Sequence, residues 1–152
     1  MSIKRDGICG NYDQQSDSNA ISEAMTNFDL LIYAGHGDGR KFINHPLSLL
    51  KNDCRSAILL FGCSSIKFQR ESYFEAEGML LMMISKCVPV VGGFLWPIFD
   101  TDCDLFTIEL LKNIKNESQS RESLSKALVR IQRSNTFKAL NPYAFVIYGM
   151  EC

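Results

Sequence analysis

The sequence lacks a charge excess of either sign. Its 16 Lys and Arg stand against 17 Asp and Glu, for a formal net charge of −1 over 152 residues. That gives no electrostatic case for nucleic acid, whose binders want a basic face, and none for a membrane surface. No polybasic or acidic tail is present, and no internal repeat or low-complexity segment. Histidine is scarce, with two residues, His36 and His45. The six cysteines (Cys9, Cys54, Cys63, Cys87, Cys103 and Cys152) include no C-x-x-C pair. Neither set follows zinc-ligand spacing, so no metal and no cofactor is implied. The N-terminal stretch MSIKRDGICGNYDQQ lacks the apolar run of a signal peptide. The cysteines are therefore read as reduced thiols, mostly in the core, of a protein of the cytoplasm and nucleus. An uninterrupted membrane span is also missing. Residues 78–96, GMLLMMISKCVPVVGGFLW, have the length of one, but Lys86, Pro89 and Gly92–Gly93 break them. They read instead as a buried helix ending near Lys86 and then a buried strand, VPVVGG.

What is present is apolar surface: 46% of residues are hydrophobic, enough for a real core in a single domain. Residues 1–18 read as a loose polar arm. SNAISEAMTNF suggests a short helix. DLLIYA (29–34), SAILLFG (56–62), VPVVGG and YAFVIYG (143–149) read as short strands buried on both faces. RKFI (40–43) reads as a short extended piece, and HPLSLLKND as a helical turn opened by Pro46. EAEGMLLMMISK, LFTIELLKNIKN and RESLSKALVRIQRS read as helices. In the second, Leu105, Ile108, Leu111 and Ile114 are expected to face inward; in the third, Leu124, Leu128 and Ile131 are. Alternating helices and apolar strands imply an α/β fold with a mostly parallel sheet covered on both faces. In such sheets, sites lie beyond the carboxyl ends of the strands.

Two strands end in glycine-flanked reactive residues: His36 in YAGHGDG and Cys63 in LLFGCSS. The intervening stretch is long enough for a crossover between parallel neighbours, which lie roughly 5 Å apart. A cysteine beside an imidazole is an activated nucleophile: the thiolate attacks a carbonyl and the imidazole moves protons. The backbone N–H groups of Gly37 and Cys63 are the natural oxyanion donors. A third feature is FDTDCD, where Asp100, Asp102 and Asp104 follow a loop containing Trp96. Carboxylates there cap a helix N-terminus, or together form an anionic pocket for an arginine side chain. Each feature alone has a plain structural reading. A strand-end histidine can be merely exposed, a thiol buried, and GHGDG can cradle an anion. On successive strand ends they point together to nucleophilic catalysis.

YAGHGDGRKF, LLFGCSS, EAEGMLLMMISKCVPVVGGFLW, DTDCDLFTIELL and NPYAFVIYGM resemble, in order and spacing, the C-terminal protease domain of separase, a family of the caspase-like cysteine peptidases. The resemblance covers about residues 28–150, after a polar arm and short helix over 1–27. It implies a caspase-like three-layer sandwich that cleaves after arginine in the kleisin subunit of cohesin, releasing sister chromatids at anaphase. Cys63 would be the nucleophile and His36 the general base and acid. Gly37 and Cys63 would supply the oxyanion N–H groups. Asp104 would be the principal carboxylate for the arginine, with Asp100 and Asp102 nearby and Trp96 as a wall. It also implies inhibition by a securin-like partner. Two departures stand out. Pro97 occupies a position after the tryptophan where the family usually has aspartate. The caspase-like sheet is expected to be incomplete at the N-terminus, so either the chain is a reduced or truncated form, or a separate helical subunit or N-terminal domain completes it. Two alternatives remain: a non-catalytic scaffold that binds peptide in the same cleft, and a flavodoxin-like domain that uses GHGDG for an anion.

Overall fold

Apolar runs of about five residues, too short for stable helices, form the central strands. A computed structural model of the chain describes residues 2–5, 8–11, 18–50, 54–70, 76–117, 123–134 and 141–149, with side chains left out at 2–11, 69–70, 76–77 and 115–117. The order is β1 (Ser2–Arg5), β2 (Ile8–Asn11), α1 (Ser18–Asn27), β3 (Leu30–Ala34), α2 (Arg40–Leu49), β4 (Ala57–Phe61), β5 (Gln69–Arg70) and β6 (Ala76–Glu77). Then follow α3 (Met79–Ser85), β7 (Val90–Phe94), α4 (Asp100–Glu117), α5 (Leu124–Gln132), a 3₁₀ turn (Asn141–Ala144) and β8 (Phe145–Gly149).

The central sheet has the order β3-β4-β7-β8. β3, β4 and β7 run parallel, and β8 returns antiparallel to β7. Alternation along β4 creates two core layers. Ile58 and Leu60 pack with Met25, Ile43, Leu47 and Met83 from α1, α2 and α3. Leu59 and Phe61 pack with Phe106, Leu110, Leu128 and Ile131 from α4 and α5. The result is the expected three-layer α/β sandwich with a mostly parallel sheet. Among the described residues, no helix is long and apolar enough to cross a membrane. The 78–96 run divides as read, into α3 and β7, and Lys86 Nζ donates to the Leu50 carbonyl at 3.3 Å, just past the end of α2.

Several elements differ from the sequence reading. The loose arm contains an antiparallel hairpin, β1 with β2. RKFI is helical, and Pro46 lies inside α2 rather than at its start. Ile43, Pro46, Leu47 and Leu50 are all buried, so one apolar stripe at helical spacing outweighs the local cost of the proline. α3 starts at Met79, because Ala76–Glu77 pairs antiparallel with Gln69–Arg70. α4 starts at Asp100, and its buried residues include Cys103, Phe106 and Leu110, while Leu105 and Ile108 are about half exposed. The aromatic cluster of Phe94, Phe106 and Phe145 fixes that rotation, with centroids 4.9–5.5 Å apart. Cys54, Cys63, Cys87 and Cys103 are reduced thiols. Cys152 and the side chain of Cys9 lie outside the described residues.

Candidate active site

β3 and β4 are in parallel register, with Ala34 opposite Phe61. The ladder continues one step, as Gly35 N–H donates to the Phe61 carbonyl at 3.2 Å. The next residues beyond the two strands are His36 and, after Gly62, Cys63. A Cβ at Gly62 would collide with the carbonyl oxygens of Gly35, at 2.8 Å, and of Gly37. The histidine loop therefore crosses directly over the residue before the cysteine, an approach that only glycine at 62 permits. The backbone thus brings the segments of His36 and Cys63 together at the carboxyl end of the sheet.

Each segment has its own local cause. Gly37 has φ +65 and Gly39 φ +68, so the loop turns through the left-handed region where side chains are disfavoured. His36 is exposed, and its carbonyl accepts a hydrogen bond from the Tyr33 hydroxyl at 2.9 Å. Burial, and then the charge of Asp38, raises the Tyr33 phenol above its ordinary pKa. Asp38 does not serve the imidazole. Its carboxylate accepts from the Arg40 N–H at 3.0 Å and lies 3.3 Å from the Arg40 guanidinium. It thereby caps the start of α2 with an anion from the chain itself, which disfavours the phosphate-cradle reading of GHGDG.

Cys63 is half-buried and packs against the α4–α5 layer. Its thiol donates to the Ile98 carbonyl at 3.0 Å. Ser64 follows with φ +57, a costly conformation for a non-glycine residue. Ser65 braces the turn. It is buried, donates to the Leu60 carbonyl at 2.8 Å and accepts from the Phe94 N–H at 3.1 Å. Its hydroxyl ties the end of β4 to the end of β7.

The three aspartates lie on α4 rather than in a loop, and the helix separates them. Asp100 and Asp104 are exposed and one turn apart, on one face. Asp102 turns away, is half-buried and accepts from the side-chain amide of Asn141. Cys103 is buried, and its thiol is pushed up to about 11 by burial first, then by the charges of Cys63, Asp104 and Asp100. That influence places Cys63 and the first turn of α4 in one electrostatic neighbourhood. Trp96 and Phe99 are exposed on the loop before α4, Phe99 at 77%. Sequence reading did not single out Tyr33 or the Ile98 carbonyl. A tyrosine within an apolar strand signals only packing, and a backbone acceptor carries no residue signature.

The fold is a three-layer α/β sandwich with a mostly parallel sheet, and a histidine loop crosses beside the residue before a cysteine at adjacent carboxyl strand ends. The family model described as separin, protease domain, matches residues 2–104. The chain belongs to that family. It is 39% identical to the separin of Mus musculus over 92 residues, 60% of this chain and 4% of that protein. It is 26% identical to the separin of Saccharomyces cerevisiae over 143 residues, 90% of this chain and 9% of that one. The crystal structure of the Saccharomyces cerevisiae separase–securin complex superposes with a TM-score of 0.73 at 25% identity, covering 91% of this chain and 9% of that one. The chain therefore spans less than a tenth of the length of these relatives.

Proposed function

We propose that this chain is the catalytic part of a separase-type cysteine endopeptidase that cuts after arginine. The observation that supports the reading is the crossing of the Gly35–Gly37 loop over Gly62, which brings the backbone segments that carry His36 and Cys63 close together. In the reaction, His36 takes the Cys63 proton, which requires the thiol to leave the Ile98 carbonyl. The thiolate attacks the arginine carbonyl carbon, and the oxyanion forms against the N–H groups of Gly37 and Cys63. The tetrahedral adduct collapses to a thioester as His36 returns its proton to the departing amine. Water, deprotonated by His36, attacks the thioester. The carboxylic acid leaves and the thiol is restored.

Asp104, supported by Asp100 on the same helical face, takes the guanidinium of the arginine. Asp102 does not touch the arginine but braces the start of α4 through its bond to Asn141, and Trp96 walls the pocket. The substrate is the kleisin subunit of cohesin, cut at anaphase, and the protein works in the cytoplasm and nucleus. A securin-like inhibitor occupies the same cleft, a reading supported by the solved relative being a separase–securin complex.

The test is covalent labelling of the full chain, alone and with separase N-terminal region supplied, by an arginine acyloxymethyl ketone. Labelling that is lost in Cys63→Ala, together with cleavage of an arginine peptide, supports the reading. No labelling and no cleavage in either condition sinks it. The Cys63–Ile98 hydrogen bond, which engages the thiol with a backbone carbonyl, favours a second reading: a cleft that binds arginine peptides without cutting them. Peptide binding with no label would select it.

A further inference from the structure

We propose that Tyr33 is a positioning residue that orients the His36–Gly37 peptide so that its N–H faces the nucleophile. The inference rests on the reading of Gly37 N–H as an oxyanion donor and deepens it. The side chain of Tyr33 packs toward the layer of α1, α2 and α3, and its ring meets Phe42 of α2 with centroids 5.9 Å apart. From that side its hydroxyl donates to the His36 carbonyl at 2.9 Å. The carbonyl of His36 and the N–H of Gly37 belong to one planar trans peptide, so they point in opposite directions. A carbonyl held toward α2 leaves the Gly37 N–H directed toward the other layer. Cys63 packs in that other layer, against the core of α4 and α5. One hydrogen bond on one side of the sheet therefore aims a donor on the other.

The rest of the loop is consistent with this division of work. A Cβ at Gly37 would meet nothing within 4 Å, so no packing at Gly37 itself sets the peptide plane. A Cβ at Gly35 would lie 2.7 Å from the Tyr33 hydroxyl, and one at Gly39 would lie 3.1 Å from its ring. The two outer glycines thus leave room for the phenol, and the middle one leaves room in front of the N–H. Donation to the carbonyl also polarises the peptide and strengthens its N–H as a donor. Burial and Asp38 keep the phenol protonated, and so a donor, through the neutral range.

The test is Tyr33→Phe in the full chain, with any partner that activity requires. The ring remains and only the hydroxyl goes. With an arginine peptide, kcat should fall about fivefold to tenfold at nearly constant KM, the size expected for one neutral hydrogen bond. An arginine peptide aldehyde, whose adduct carries the tetrahedral oxygen, should lose affinity by the same factor, while an uncleavable amide peptide should bind unchanged. Gly35→Ala, which pushes on both the hydroxyl and the ring carbon that bears it, should show the same split. Unchanged kcat and aldehyde affinity, or a loss confined to KM, would overturn the proposal. If the parent chain neither cuts nor labels, the peptidase reading fails separately. The orienting role is then judged by amide exchange at Gly37: faster exchange in Tyr33→Phe supports it, and an unchanged rate overturns it.

Discussion

The thiol of Cys103 and the carboxylates beside it illustrate how one turn of helix assigns different work to neighbours. Cys103 faces the core, and burial with the surrounding negative charge raises its pKa to about 11 from an ordinary 9.0. The folded state then holds the Cys103 proton more tightly than the unfolded chain does. Its contribution is intact below about pH 9 and is lost as pH rises toward about 11, because the unfolded thiol ionises first. Melting temperature should therefore fall less steeply across that window in Cys103→Val than in the parent. Asp102 and Asp104 should separate in kinetics. Asp104→Asn should lower kcat/KM for an arginine peptide at least tenfold, about the size of a charged hydrogen bond, with little change in melting. Asp102→Ala should cost about 1 kcal/mol of stability through the lost Asn141 bond. It should leave selection of arginine over lysine intact. A peptide panel and a urea titration on both variants check this.

At the scale of elements, the register of α4 and the turn after β4 place the groups of the site. Phe106 is buried among Phe94 and Phe145, whereas Leu105 is about half exposed. Phe106→Ala should cost about 3–5 kcal/mol, and Leu105→Ala less than about 0.5 kcal/mol, by denaturant unfolding. The opposite ranking would mean the helix is rotated, which would also move Asp100 and Asp104. Ser65→Ala should cost about 1–3 kcal/mol, because it leaves a buried N–H and a buried carbonyl without their hydroxyl partner. It should also reduce labelling of Cys63 before the domain melts, since the brace fixes the turn carrying the thiol. Iodoacetamide rates measured well below the melting temperature test that.

For the whole molecule, a single strand divides two layers. Leu59 and Leu60 are adjacent and fully buried, one in each core. Leu59→Ala and Leu60→Ala should each cost about 2–5 kcal/mol. If the layers form one cooperative unit, tryptophan fluorescence and far-UV circular dichroism should give one coincident transition in both variants. Trp96 reports from the loop after β7, so separate transitions would show that the site end opens independently.

Much of this architecture is legible in the sequence. The four central strands, the breaking of the 78–96 run and the helices Ser18–Asn27 and Leu124–Gln132 follow from apolar spacing and strand length. So does the placement of His36 and Cys63 at strand ends, because each follows a run that must be buried. The start of α2, the hairpin at the N-terminus and the inward face of α4 are not read correctly from local patterns. RKFI carries too few residues to declare its period, and Leu105 and Ile108 are as apolar as the residues that win the core. Only the aromatic packing of Phe94, Phe106 and Phe145 selects among those faces. The sequence by itself determined the fold class and the placement of His36 and Cys63 after buried strands, since periodicity and residue chemistry are local properties. The tertiary structure alone decided that Asp102 parts from Asp100 and Asp104, that Ile98 holds the resting thiol, and that Tyr33 meets the His36 carbonyl. Those outcomes depend on helix rotation and on backbone groups brought together from different elements, and neither leaves a trace in residue type.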